Sequence, residues 1–203
     1  MYKLPAALML RNVDAVEAVD AVEAVHAADQ AFLDALYASR REDLRHMPMD
    51  VAFITQMIKM QQHVQMEGIR LNYPEALHLM IEDDGQPVGR VIIDTGSNDV
   101  RLVDIAVIPA AQRQGIARAI LQALQAQAAN HGKSVSLAVE QTNFAARGLY
   151  LQMGFVALST DELFEQMQWR AHAPAASETL ANVMSATTLA SNMTKQGQLD
   201  ASA

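Results

Sequence analysis

The spacing of apolar and polar residues changes period several times along the chain, and each change marks an element. Residues 13–27 repeat a three-residue unit, Val-Asp-Ala or Val-Glu-Ala, closing on Val-His-Ala. On a helix a period of three drifts about 60° per repeat, so these valines share no narrow face. The segment reads as a low-complexity expansion between a first strand, within Met1 to Leu10, and the first true helix. Its Ala, Glu and Val would tolerate an exposed helix, and an acidic docking element is the sharper alternative.

From Ala28 the pattern turns amphipathic, with Phe32, Leu33, Leu36 and Tyr37 at helical spacing before Ser39-Arg40-Arg41. A second helix is predicted from Asp50, a suitable N-cap, to Gln65, on Val51, Ile54, Ile58 and Val64. Strand signals follow. Leu77 to Glu82 and Pro87 to Asp94 flank Asp83-Asp84-Gly85-Gln86, a hairpin turn in which Gly supplies a positive φ. Val100 to Val107 is a third strand, rich in β-branched residues. A helix from Gln114 to His131 stops at Gly132, and Val135 to Val139 is another strand. Asn143 to Met153 is a helix, and Phe155 to Leu158 and Leu163 to Trp169 close the series as strands. Meander strands, a strand–helix crossover and a last hairpin predict a mixed α/β (α+β) fold. Beyond Arg170 the chain is rich in Ala, Ser and Thr; Leu180, Val183, Met184 and Leu189 could form only a weak helix, and disorder is expected. The expected organisation is therefore a domain over 1–170, interrupted by the 13–27 repeat, and a tail over 171–203.

Composition narrows the chemistry. The 203 residues contain no cysteine, which excludes disulfides, thiolate-held metals and a thiol nucleophile. The net charge of −8 argues against a broad nucleic-acid surface. Part of it is local, because residues 13–29 hold Asp14, Glu17, Asp20, Glu23 and Asp29 and no Lys or Arg. No stretch approaches the ~18 apolar residues needed to span a bilayer, and the start reads as a strand rather than a signal peptide. The six histidines show no metal-ligand spacing, so no metal is expected. Met57, Met60 and Met66 on the second helix read as core filler, or as the lining of a pocket near Tyr37 and Arg41.

The informative stretch is Asp104-Ile105-Ala106-Val107-Ile108-Pro109, followed by Ala110-Ala111-Gln112-Arg113-Gln114-Gly115-Ile116-Ala117-Arg118. An apolar strand ends at Val107, Pro109 stops it, and a helix opens with Gly115 and Ala117 in its first turn. Unpaired N–H groups and the positive helix end then converge on one point, where small side chains let an anion approach. Arg113 and Arg118 would add charge. Residue types alone weigh a pyrophosphate site about equally against a tight strand–helix junction.

Gln-x-x-Gly-x-Ala after an apolar strand and Pro resembles motif A of the GNAT (Gcn5-related) N-acetyltransferase superfamily. The segment from Asn143-Phe144-Ala145 through Leu149-Tyr150 to Gly154-Phe155 resembles that family's second conserved stretch, in the same order. The likeness covers about residues 3–12 and 28–169. It implies a mostly antiparallel sheet with a central, splayed parallel strand pair and helices on both faces. It also implies acetyl-CoA as co-substrate, with the backbone of Ile105, Ala106 and Val107 pairing to the pantetheine arm. The N–H groups from Gln112 to Ala117, that is Gln112, Arg113, Gln114, Gly115, Ile116 and Ala117, would hold the pyrophosphate, with Asn143 and Tyr150 near the sulfur.

Spacing supports that last pair, since seven residues turn through about 700° and bring Asn143 and Tyr150 within roughly 20° of each other. A phenol protonated at neutral pH can donate to a departing thiolate, although Tyr150 could merely pack on the sheet and Asn143 could merely cap the helix. Without cysteine no acyl-thiol intermediate forms on the chain, so direct attack by an amine is the simplest route. The amine must lose a proton, and Glu140 is the first candidate base, ahead of Asp104 and Glu82. The expected protein is a cytoplasmic N-acetyltransferase, a monomer or homodimer, acting on a small-molecule or protein amine, with no nucleic-acid or membrane partner. A non-catalytic CoA-binding module and transfer of a longer acyl group remain open. Acidic balance near the site would suit a cationic acceptor such as a polyamine or Lys.

Overall fold

A computed structural model describes residues 5–13 and 19–171, the side chains of residues 19–27 excepted. The strands are β1 (Leu8–Asn12), β2 (Leu77–Asp83), β3 (Gln86–Thr95), β4 (Asp99–Val107), β5 (Ser134–Glu140), β6 (Val156–Thr160) and β7 (Phe164–Arg170). The helices are α1 (Val19–Ser39), α2 (Glu42–Arg45), α3 (Val51–Asn72), α4 (Ile116–Asn130) and α5 (Phe144–Gln152). The strands form one sheet in the order β1-β2-β3-β4-β5-β7-β6. Every pairing is antiparallel except β4 with β5. That parallel pair needs a crossover, which α4 supplies.

The predicted hairpin forms around Asp84 and Gly85, with Asp83 paired to Gln86. Asp50 caps α3 by accepting from the N–H groups of Ala52 and Phe53 at 2.9 and 3.2 Å. Several boundaries differ from the sequence reading. The first strand starts at Leu8 and reaches Asn12. Helix α1 begins at Val19 rather than Ala28, inside the repeat. The amphipathic half of α1 supplies the nucleus, and sequence with Ala at every third position and no Gly or Pro propagates backward from it. Helix α3 continues past Gln65 to Asn72, because Ile69 is still buried and Tyr73 donates back to the Ile69 carbonyl. The expected tail beyond residue 171, including Leu180, Val183, Met184 and Leu189, lies outside the described residues.

One sheet face buries the main core, where Ile81, Val91, Ile93, Leu102, Leu137 and Met167 meet Ile120, Leu121 and Leu124 of α4 and Tyr150 of α5. On the other face α1, α2 and α3 gather around Tyr37, Leu44, Ile54 and Ile58. Arg11 fastens β1 to that layer, donating to both Asp29 oxygens at 2.8 Å and to Glu82 at 2.6 Å. Among the described residues, no helix is long and apolar enough to cross a membrane.

Strand β4 controls what each face receives. Ile92 pairs with Asp104 and Ile93 with Leu102, so Val103 is an extra residue with no partner on β3. Such a bulge shifts the alternation of side chains by one. Val100 and Leu102 face the α4 core before it, and Ile105 and Val107 face that core after it. Asp104 and Ala106 are thereby turned toward α1. A strand without the bulge would bury Asp104 against α4.

Candidate active site

The parallel pairing of β4 and β5 ends at Leu102 opposite Leu137, although β4 runs on to Val107 and β5 to Glu140. Beyond that point β5 stays paired with β7 through Glu140, and β4 stays paired with β3 through Val107. The sheet therefore opens between its two central strands. The backbone of Val103 to Val107, including Ile105, Ala106 and Val107, has no β5 partner along this gap. Gly89 makes the β3 side of the arrangement possible. A Cβ there would press into the Ala106 carbonyl oxygen and lie 3.3 Å from the Val107 Cα, so the strands could not approach as they do.

At the end of the gap the chain makes a 3-10 turn over Pro109–Ala111 and a short loop before α4. The helix starts later than the sequence suggests. Gly115 is its N-cap at φ 88° rather than a first-turn residue, and Arg113 adopts φ 64°. A glycine belongs at 115 because the left-handed region costs other residues about 1–2 kcal/mol. Space beyond Gly115 is open, since a Cβ there would meet nothing within 4 Å. The N–H of Gln112 already donates to the Pro109 carbonyl at 3.2 Å, while its side chain donates to the Val107 carbonyl at 2.9 Å. The first bond into the helix cap runs from Ala119 to the Gly115 carbonyl, so the N–H groups of Ile116, Ala117 and Arg118 have no acceptor within α4. Arg118 instead ties α4 to α5 through Gln152, at 2.7 Å, and the Met153 sulfur. Unpaired donors, a positive helix end and open space suit a phosphate or pyrophosphate.

Tyr150 stands on α5 beside the gap, 6% exposed, with its ring 5.8 Å from that of Phe155. Asn143 caps the same helix, its side-chain oxygen accepting from Ala146 N–H at 3.1 Å. Asn143 is exposed, whereas Tyr150 one helix length later is buried. Burial pushes the Tyr150 phenol up to about 12; the negative charge of Asp104 adds to this and Arg40 opposes it. These influences bring Tyr150, Asp104 and Arg40 into one neighbourhood.

Asp104 is held by two guanidinium groups, Arg90 at 2.7 Å and Arg40 at 3.2 Å. Burial alone would raise its carboxyl, but attraction to Arg90 and then Arg40 wins and holds it below the ordinary carboxylate range. A carboxylate paired twice is a poor proton acceptor. Glu82 is likewise engaged, with Arg11, on the β1–β2 side of the sheet. Glu140 lies exposed on β5, three residues beyond the last β4–β5 pair, on the same face as Ser134 and Ser136 and opposite the α4 core. The gap thus has Glu140 on one lip and Asp104 with Arg40 on the other. Among the described residues, no group of three His, Asp or Glu side chains converges as a metal site would.

Sequence reading missed Arg40 and Arg90. A signal for Arg90 was present: it interrupts the apolar run Pro87-Val88-Gly89-Arg90-Val91-Ile92, as Asp104 interrupts Leu102-Val103-Asp104-Ile105. Opposite charges buried in adjacent strands need each other. A cavity of about 490 Å³ between α1, α2 and α3, lined by Asp34, Ala38, Arg45, Ile58 and Gln62 among others, includes none of the gap residues.

The solved structures similar to this chain share its fold. The PaiA N-acetyltransferase from Thermoplasma acidophilum, in complex with coenzyme A, is 15% identical with a TM-score of 0.52, over 80% of this chain and 98% of that one. The ribosomal-protein-S18-alanine N-acetyltransferase from Escherichia coli is 18% identical with a TM-score of 0.51, over 84% and 97%. Ard1 from Thermoplasma volcanium is 16% identical with a TM-score of 0.50, over 83% and 100%. No curated protein matches the sequence significantly. Residues 33–155, which contain the gap, the loop before α4 and Tyr150, match the acetyltransferase (GNAT) family. The chain therefore belongs to the GNAT acetyltransferase family.

Proposed function

We propose that this protein transfers the acetyl group of acetyl-CoA directly to a primary amine while both substrates are bound, and that residues 1–170 form the catalytic domain. The observation that carries this reading is the early end of β4–β5 pairing at Leu102 and Leu137, with β4 continuing to Val107 beside an α4 whose N-cap Gly115 offers no side chain to its first N–H groups. That edge offers a peptide-like arm the main-chain groups of Ile105, Ala106 and Val107, in the manner of an added strand. The loop and helix start, Arg113 to Ala117, offer donors to a pyrophosphate. Family membership and the coenzyme A complex of the Thermoplasma acidophilum protein support the same ligand.

In this reading the chain's residues divide the chemistry. Glu140, exposed on the lip of the gap, takes a proton from the acceptor ammonium, directly or through water. The neutral amine attacks the thioester carbonyl held along β4. Tyr150 hydrogen-bonds the sulfur through its O–H as the carbon–sulfur bond breaks, the extra proton of the newly acylated nitrogen passes to the departing thiolate, and Asn143 orients the adjacent arm. The chain supplies no thiol for an acyl-enzyme intermediate.

Thiol release from acetyl-CoA, followed over a panel of primary amines, tests this. Amine-dependent release with acetylated product supports the proposal. Tight acetyl-CoA binding with no turnover on any amine would mark a non-catalytic module instead.

A further inference from the structure

On the lip of the gap that carries Asp104, the local charge is opposite in sign to that of the whole chain. One carboxylate, Asp104, faces two guanidinium groups. Arg90 and Asp104 are the closer and more buried pair, at 2.7 Å with side chains 5% and 9% exposed. They neutralise each other. Arg40, 3.2 Å from the same carboxylate and 39% exposed, is left as a surplus cation at the mouth. Its neighbour Arg41 adds no net charge, because Asp43 pairs with it at 2.8 and 3.0 Å. Behind Arg40 is a narrow cleft lined by Leu33, Leu36, Tyr37, Arg40, Arg90 and Ala106. Arg90, one of these lining residues, also has a buried Nε that finds no hydrogen-bond acceptor among the described residues. Across the gap, on the same face, Glu140 is the exposed acid.

We infer that the acceptor is an amine that also carries a carboxylate, such as an amino acid or a peptide with a free C-terminus, and that Arg40 receives that carboxylate. This rests on the transferase reading above and adds the substrate class. The amine end of such an acceptor points to Glu140, and the carboxylate end meets the guanidinium fork of Arg40, whose geometry suits a planar anion. Asp104 and Arg90 are positioning residues: Arg90 holds Asp104, and Asp104 fixes Arg40 at the mouth. A polyamine would instead place a second cation against Arg40.

The experiment compares free amino acids and dipeptides with their C-terminal amides, and with spermidine, in the thiol-release assay. Wild type, Arg40→Gln and Arg40→Lys are used, and acetyl-CoA binding is titrated separately on each. The inference expects kcat/KM at least ten-fold higher for acids than for the matching amides. It expects that ratio to collapse in Arg40→Gln, through KM, and to be partly kept in Arg40→Lys. Amides or spermidine used as well as the acids, or an unchanged ratio in Arg40→Gln, overturns it and leaves the transferase reading intact. Acetyl-CoA binding with no turnover of any acid also overturns it. Absence of acetyl-CoA binding to wild type refutes the transferase reading itself, and this inference with it.

Discussion

Replacing Tyr150 with Phe removes one hydroxyl and leaves the ring packed on Phe155, 5.8 Å away between centroids. The structure sets the size of the effect. Burial, reinforced by Asp104, pushes the phenol to about 12, while an ordinary thiol titrates near 8.5. Full proton transfer from that phenol to a thiolate would be uphill by about 3.5 units, or roughly 5 kcal/mol. In the proposed reaction Tyr150 would therefore serve as a hydrogen-bond donor to developing negative charge, worth about 1.5–3 kcal/mol. The expected loss in kcat is about 10- to 150-fold, short of the upper range of about 10⁴-fold for complete general-acid catalysis. Steady-state thiol release at saturating acetyl-CoA measures it, with calorimetric affinity for acetyl-CoA as the control for intact binding. An unchanged kcat refutes the role. A loss well beyond 10³-fold would mean that the proton moves fully, and that the buried phenol is far more acidic than its surroundings allow.

The same group makes a stability prediction. The folded phenol titrates higher than the unfolded one near 10, so below about pH 10 both states are protonated and stability is unaffected. Between about pH 10 and 12 the unfolded chain loses its proton first, and this group's contribution falls by up to about 3 kcal/mol. Tyr150→Phe should abolish that component of alkaline unfolding in urea titrations at pH 9 to about 11. Asp104→Asn should destabilise the fold by about 3–5 kcal/mol, because Arg90 is left buried without its charge partner; an unchanged denaturant midpoint would contradict the pairing. Gly89→Ala forces backbone against backbone at Ala106, and a large fall in Tm is expected. Gly115→Ala meets no clash but strains a φ of 88°, so about 1–2 kcal/mol of stability is lost. Weaker acetyl-CoA binding accompanies that loss if the loop holds the pyrophosphate.

Where the sequence carried a local code, the fold was readable. Asp84-Gly85 announced the β2–β3 hairpin, Asp50 and Asn143 announced helix starts, and alternation announced the strands. The motif around Gln112 to Ala117 pointed to the loop before α4. Two features lay beyond a local reading. The start of α1 at Val19 depends on propagation from an amphipathic neighbour, which the repeat's own period does not reveal. The bulge at Val103 depends on how β4 packs against β3, though its trace is in the sequence, where apolar positions shift from 100 and 102 to 105 and 107. Missing that shift hid the partners of Asp104. The aspartate that looked like a candidate base is instead held by Arg90 and Arg40.

The central claim is that the gap between β4 and β5, with the loop before α4, is built for acetyl-CoA. Isothermal titration of acetyl-CoA into the full-length protein tests it most directly. One site per chain with a dissociation constant in the micromolar range or tighter, about −8 kcal/mol or more, is the predicted result. No saturable binding at about millimolar acetyl-CoA would contradict the account.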